Sequence, residues 1–153
     1  LSLDVSITVT GLTEAQDYFE SAGNTLVEKV SDKLNDICQQ IVDYARSIAP
    51  VKTGEYAASI GYEQTGPLSF TIFAGSDHAA YVEFGTSPHW IIPRNVSALH
   101  FEVEGEEVFA KYVMHPGTAP QLIIHNAKKL FIPQIVEAIK QGVEEAFSEG
   151  VAH

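Results

Sequence analysis

A chain of 153 residues with 45% hydrophobic content is long enough to bury one core, and a single domain spanning residues 1–153 is expected. Twenty Asp and Glu against nine Lys and Arg give a net charge of −11, a surface that repels phosphate backbones and anionic lipid, so direct binding to nucleic acid or membrane is disfavoured. One cysteine, Cys38, rules out an internal disulfide framework, and no apolar run reaches bilayer-spanning length. The N-terminus shows no basic region followed by an apolar core, so synthesis in a cytoplasm is expected. Acidity of this kind serves solubility in ordinary domains; a salt-adapted host or a deliberately negative surface is the other reading.

Residues 1–10 alternate, with Leu1, Leu3, Val5, Ile7 and Val9 on one side and Ser2, Asp4, Ser6 and Thr8 on the other, which predicts a half-buried strand. Gly11 turns the chain, Thr13 offers an N-cap with Gln16 as a capping-box partner, and a first helix is predicted to about Ala22. From Thr25 the apolar positions Val27, Val30, Leu34, Ile37, Ile41, Tyr44 and Ile48 recur at spacings of three and four up to Pro50, the strongest helical pattern in the chain. Such a stripe suits a coiled-coil seam, but packing across the chain's own sheet is the preferred reading. Cys38 falls on its apolar face, where a buried and inert thiol is expected.

Beyond Pro50 the pattern changes to turn residues and short β-like runs. Residues 57–64 and 68–74 flank Thr65-Gly66-Pro67 as an antiparallel hairpin. Residues 79–84 form a short β-like segment before Gly85-Thr86-Ser87-Pro88, and residues 98–103 and 108–114 flank Glu104-Gly105-Glu106-Glu107 as a second hairpin. Helical spacing returns with Ala127, Leu130, Phe131, Ile135, Ala138, Ile139, Val143, Ala146 and Phe147, and Pro133 predicts a helix restart with the proline in the first turn. The sum is an α+β fold: an antiparallel four- to five-stranded sheet covered on one face by long N-terminal and C-terminal helices.

Two segments carry a family likeness. Ile48-Ala49-Pro50-Val51-Lys52-Thr53-Gly54-Glu55, followed by Ala58-Ser59-Ile60, and then Ala80-Tyr81-Val82-Glu83-Phe84-Gly85-Thr86 resemble signature blocks of a phage morphogenesis family typified by the tail component of the lambdoid phage HK97. Tyr56 departs from the pattern, standing where the family often has an aliphatic or basic residue. His89 with Ile92-Pro93, Ala98-Leu99-His100-Phe101, and Val113-Met114-His115-Pro116-Gly117-Thr118 match further blocks in the same order, so the resemblance runs from Ile48 to Pro120. It implies a structural virion protein, not an enzyme, made in the host cytoplasm and placed at the head-tail junction as a tail-completion or tail-terminator-like neck protein. A head-closure (stopper) or other head-tail connector protein is the alternative. The resemblance further implies a homo-oligomeric ring, commonly of six subunits, around a channel through which DNA passes without specific binding. Its neighbours would be head-tail connector and tail-tube or tail-terminator proteins.

Within these blocks, Val51, Lys52, Thr53 and Gly54 make either a plain turn or a loop inserted into a neighbouring subunit. The segment His89-Trp90-Ile91-Ile92-Pro93-Arg94 holds the only tryptophan in what reads as a loop; it serves as a subunit contact, or Trp90 folds back over the core. Tyr81, Glu83, Phe84, Gly85 and Thr86 form a structural motif in which Glu83, set among apolar residues, needs donors such as the amides of Gly54 or Thr86. His115, Pro116 and Gly117 read as a capped turn. Glu102, Glu104, Glu106 and Glu107 line the channel or, as the commoner use, solvate a hairpin.

Six histidines at wide spacing and a lone cysteine give no metal-ligand pattern, and no cofactor is expected, since no phosphate loop, dinucleotide glycine pattern or nucleophile elbow is present. Two readings from other classes remain. A small hydrolase would need Glu83 to converge with His115 or His89, and a monomeric module binding a host protein would stay monodisperse.

Overall fold

In the computed structural model, the structure describes residues 3–8, 23–51 and 54–150. The predicted capping box at Thr13 and Gln16, the first helix to Ala22, and the contact candidates Lys52 and Thr53 lie outside the described residues. The described elements are β1 (Leu3–Thr8), α1 (Gly23–Ile48), α2 (Glu55–Ser59), β2 (Ile60–Gly66), β3 (Ser69–Ala74) and α3 (Ala79–Phe84). They continue with β4 (His89–Ile91), β5 (Leu99–Val103), β6 (Glu106–Ala110), β7 (Val113–His115), α4 (Ile123–Leu130) and α5 (Ile132–Gly150).

The helix α1 is the spine, roughly 39 Å long at 1.5 Å per residue. Its buried side is Leu26, Val30, Leu34, Cys38, Ile41, Val42 and Ala45, so the contact stripe lies slightly rotated from the predicted one. Val30, Leu34 and Ile41 are at its centre, whereas Val27, Ile37 and Tyr44 are half-buried at its edge and Ile48 is exposed. The reason is size: small Cys38, Ala45 and Ala49 let the neighbouring elements approach α1 closely, and longer side chains fill the margins.

Antiparallel β1-β3-β2 form a three-stranded sheet with β3 central. Along β3 the alternation is strict, and Phe70, Ile72 and Ala74 are the buried set. Ile41, Val42, Ala45, Ile60, Ile72 and Ala74 join Ile123, Ile124 and Ala127 of α4 in one cluster, while Val30, Leu34, Cys38 and Phe70 join Ala146 of α5 in a second. Polar bridges reinforce this layer, with Tyr62 donating to Asn35 at 3.0 Å and both the Nε and one terminal nitrogen of Arg46 donating to the Ile60 carbonyl at 3.1 and 2.6 Å. Lys33 and Glu145 pair at 2.7 Å between α1 and α5.

The α+β class and the antiparallel pairing are as expected, and the strands divide differently. Among the described residues, one three-stranded sheet and two two-stranded ribbons, β4-β7 and β5-β6, take the place of a single sheet of four or five. Residues 57–59, expected to begin a strand, are the last turn of α2: Glu55-Tyr56-Ala57-Ala58-Ser59 contains good helix formers, and the Ala58 amide bonds the Gly54 carbonyl at 2.9 Å. Residues 79–84 are helical rather than β-like, since only Val82 is β-branched and the turn closes from Val82 to the His78 carbonyl at 3.0 Å. The second hairpin turns on two residues, not four: Glu104 at φ 54° and Gly105 at φ 88° both take the left-handed conformation that matches strand twist. Pro133 lies in the first turn of α5, after a break at Phe131.

Two outcomes test this packing. A Cβ on Gly142 would lie 2.8 Å from the Val30 Cα, so Gly142→Leu should push α5 off α1 and lose about 1–3 kcal/mol in chemical denaturation. Burial pushes the Cys38 thiol from 9.0 up to about 11, so the native protein should resist a thiol reagent at pH 8 and react once unfolded. The unfolded chain releases this proton first, so stability should fall as pH rises from 9.0 toward about 11.

Candidate functional site

The end of α3 is held by a dense set of bonds. Glu83 is 1% exposed, and its Oε1 accepts from the Tyr56 hydroxyl of α2 and, at 2.9 Å, from the Ile124 amide of α4. The Val82 and Glu83 carbonyls accept from the amides of Gln121 at 3.0 Å and Leu122 at 3.2 Å. Leu122 stands at the N-cap of α4 with φ 51° and has no side-chain oxygen to offer. Glu83, 41 positions upstream of Ile124, supplies the capping acceptor in its place, where a carboxylate also suits the helix dipole. Burial drives the Tyr56 hydroxyl far above its ordinary pKa, and the bond to Glu83 raises it further, so this hydroxyl remains a donor.

One residue on, two Gly-Thr pairs meet. The Thr86 amide bonds the Thr118 carbonyl at 3.0 Å, the Thr118 amide bonds the Thr86 carbonyl at 3.1 Å, and the two hydroxyls lie 3.1 Å apart. Each preceding glycine is in the left-handed region and pressed against the other strand: a Cβ on Gly85 would sit 2.2 Å from the Thr118 carbonyl oxygen, and one on Gly117 would sit 2.2 Å from that of Thr86. The close approach leaves no room for a side chain at either position.

From this clasp residues 86–118 leave the body as an arm. Its inner ribbon pairs His89 with His115, Trp90 with Met114 and Ile91 with Val113; its outer ribbon, β5-β6, ends at Lys111-Tyr112, which lead back into β7. His89 and His115 stack with ring centres 5.1 Å apart. Nδ1 of His89 lies 2.9 Å from the Ser87 carbonyl, and that of His115 accepts the Gly117 amide at 3.0 Å, which closes the turn at Pro116. No side chain of either ribbon is buried. Trp90 does not fold back over the core; it is 56% exposed, edge-on to Tyr112 at 5.4 Å, and lines a shallow recess with Ile92, Lys111 and Tyr112.

The residues singled out in the sequence therefore fall into separate places. Glu83 meets Tyr56 and Ile124 rather than the amides of Gly54 or Thr86. Tyr81 and Phe84, on the same helix, face outward. His89, His115, Tyr81 and Thr86 border a second recess at the arm's root, and Glu83 is not part of its lining, so the acid and the histidines do not share one pocket. Val51 is exposed before the Gly54 turn, and Arg94 is exposed in the loop after β4. Glu102, Glu104, Glu106 and Glu107 are all exposed at the arm's tip. Among the described residues no cluster of three or more potential ligands could hold a metal, and no helix is long and apolar enough to cross a membrane. Sequence reasoning passed over Tyr56, Thr118 and Ile124. The departure at position 56 and the repeated Gly-Thr dipeptide were signals for the first two; a backbone amide leaves none.

Residues 13–85 match the model of the family described as "Bacteriophage HK97-gp10, putative tail-component". The match bears out the resemblance through Gly85, and the blocks from His89 onward lie beyond the matched residues. No curated protein and no solved structure matches the chain.

Glu83→Ala should orphan two buried donors and lower stability by about 2–5 kcal/mol, whereas Glu83→Gln, which retains an acceptor oxygen, should cost about 1–2 kcal/mol. Equilibrium urea unfolding of the two variants checks the order.

Proposed function

We propose, from the match of residues 13–85 to a phage tail-component family, that the chain is a structural virion subunit that assembles into a ring, of six copies in the simplest closed form, at the head-tail junction. It acts there as a tail-completion or tail-terminator-like protein. The observation that carries this reading is the arm: a rigidly rooted projection with exposed Trp90, Ile92, Tyr112 and Met114 and no core of its own. Exposed aromatic and aliphatic side chains on such a projection serve as contact anchors, and an arm reaching from one copy to the next generates a ring when the rotation closes.

In this reading the chain is one domain, its partners are further copies together with the connector and tail-tube or tail-terminator proteins, and its work is packing, with no cofactor. The surface charge of −11 lets DNA pass without adhering. The hydrolase reading has little support, because the Glu83 carboxylate is engaged as a helix cap away from the histidine recess.

Cryo-electron microscopy of the intact virion neck tests the proposal. A closed ring of this chain around the DNA channel, between connector and tail tube, is the expected result. A ring directly beneath the portal would favour head closure, and absence of the chain from the particle would overturn the virion role.

A further inference from the structure

Charge along the arm is segregated. Between Glu83 and Glu137 the acidic residues are Glu102, Glu104, Glu106 and Glu107 alone, all within the tip of the β5-β6 hairpin, in a chain with 20 such residues. The stem flanking the tip carries Arg94 and Lys111 and no acid. Lys111 lines the recess with Trp90, Ile92 and Tyr112, so the stem presents an apolar groove edged with positive charge.

The tip is arranged at a cost in the isolated subunit. Glu102 and Glu107 are direct cross-strand partners, with Glu104 in the turn and Glu106 just after it, and like charges placed opposite each other weaken a hairpin. The neighbouring histidine contact is slight, His100 Nε2 lying 3.7 Å from Glu107 with both side chains exposed. Val103 and Phe109 are exposed beside these acids, so the tip is an acidic surface with apolar side chains, complementary to the stem. Stem and tip are separate ribbons joined by residues 92–98 and by Lys111-Tyr112, and Lys111 is separated from Glu107 by the length of β6, roughly 13 Å at 3.3 Å per residue.

We propose that the acidic tip of one copy docks on the Trp90-Lys111-Arg94 stem of the next. The contact is heterologous, each copy offering a tip to one neighbour and a stem to the other, which is the geometry that propagates around a ring. Charge pairing sets the direction and the register, and burial of Trp90 supplies the anchor. This rests on the ring reading above and names its two joining surfaces.

The test uses the full chain and three preparations, followed by light scattering on a sizing column over a concentration series. In one, Arg94→Glu and Lys111→Glu reverse the stem; in another, Glu102→Lys, Glu104→Lys, Glu106→Lys and Glu107→Lys reverse the tip; the third is an equimolar mixture of the two. All six positions are exposed, and circular dichroism verifies that each variant is folded. Each reversal should weaken self-association roughly tenfold or more at moderate salt, and the mixture, in which every tip again meets a stem of opposite charge, should restore it. If the wild-type chain assembles and either reversal leaves assembly unchanged, or the mixture fails to restore it, the docking is wrong while the ring reading stands. If tip reversal spares self-association but blocks incorporation into particles, the tip belongs to another virion protein and the docking is again overturned. If the wild-type chain stays monomeric at every concentration and in the particle, both readings fall.

Discussion

A carboxyl group taken out of water must find donors, and in this fold the donors come from elements far apart in the chain. Glu83 draws the Tyr56 hydroxyl from α2 and the Ile124 amide from α4 onto one oxygen at the end of α3. The cost of burying the group unpaired makes the arrangement nearly obligatory once α3 has docked. Its consequence reaches beyond the three helices, because the next residues are Gly85 and Thr86, the first half of the clasp from which the arm departs. The direction of the arm is therefore set by a hydrogen-bond constraint in the core.

Body and arm differ in what holds them together. The body has two buried clusters along α1, to which β2, β3, α4 and α5 each contribute side chains. The arm has none: its order rests on two short ladders, ring contacts such as Trp90 on Tyr112 and His100 on Phe109, and the reciprocal Gly-Thr clasp. A two-stranded ribbon is marginal in water by itself. A protein that keeps such a ribbon, with a large apolar surface exposed, presents it to something that covers it.

The separation of chemistry follows the same line. In the body, Arg46 is held by the Ile60 carbonyl and Lys33 by Glu145, each bridging two elements. On the arm, charge and aromatic surface remain outward, and the cations stand apart from the acids. A rigid core thus carries an adaptable surface, the division of labour expected of a subunit whose function is contact.

Sequence by itself determined the elements whose signal is local. The period of α1, the hairpin around Gly66-Pro67, the break before Pro133 and the burial of Cys38 are all legible because each depends on residues within a few turns of one another. The matched segment carried the family likeness, and the apolar Trp90 segment marked itself by composition. Other features had no local signal. That residues 79–84 are helical, that Glu83 caps α4, that Gly85 faces Thr118 and Gly117 faces Thr86, and that the later strands form an arm instead of extending the main sheet were decided by tertiary structure. The physical reason is common to all of them: a hydrogen bond between partners 32 or 41 positions apart leaves no periodicity in the sequence, and its geometry exists only once the core has brought the partners together.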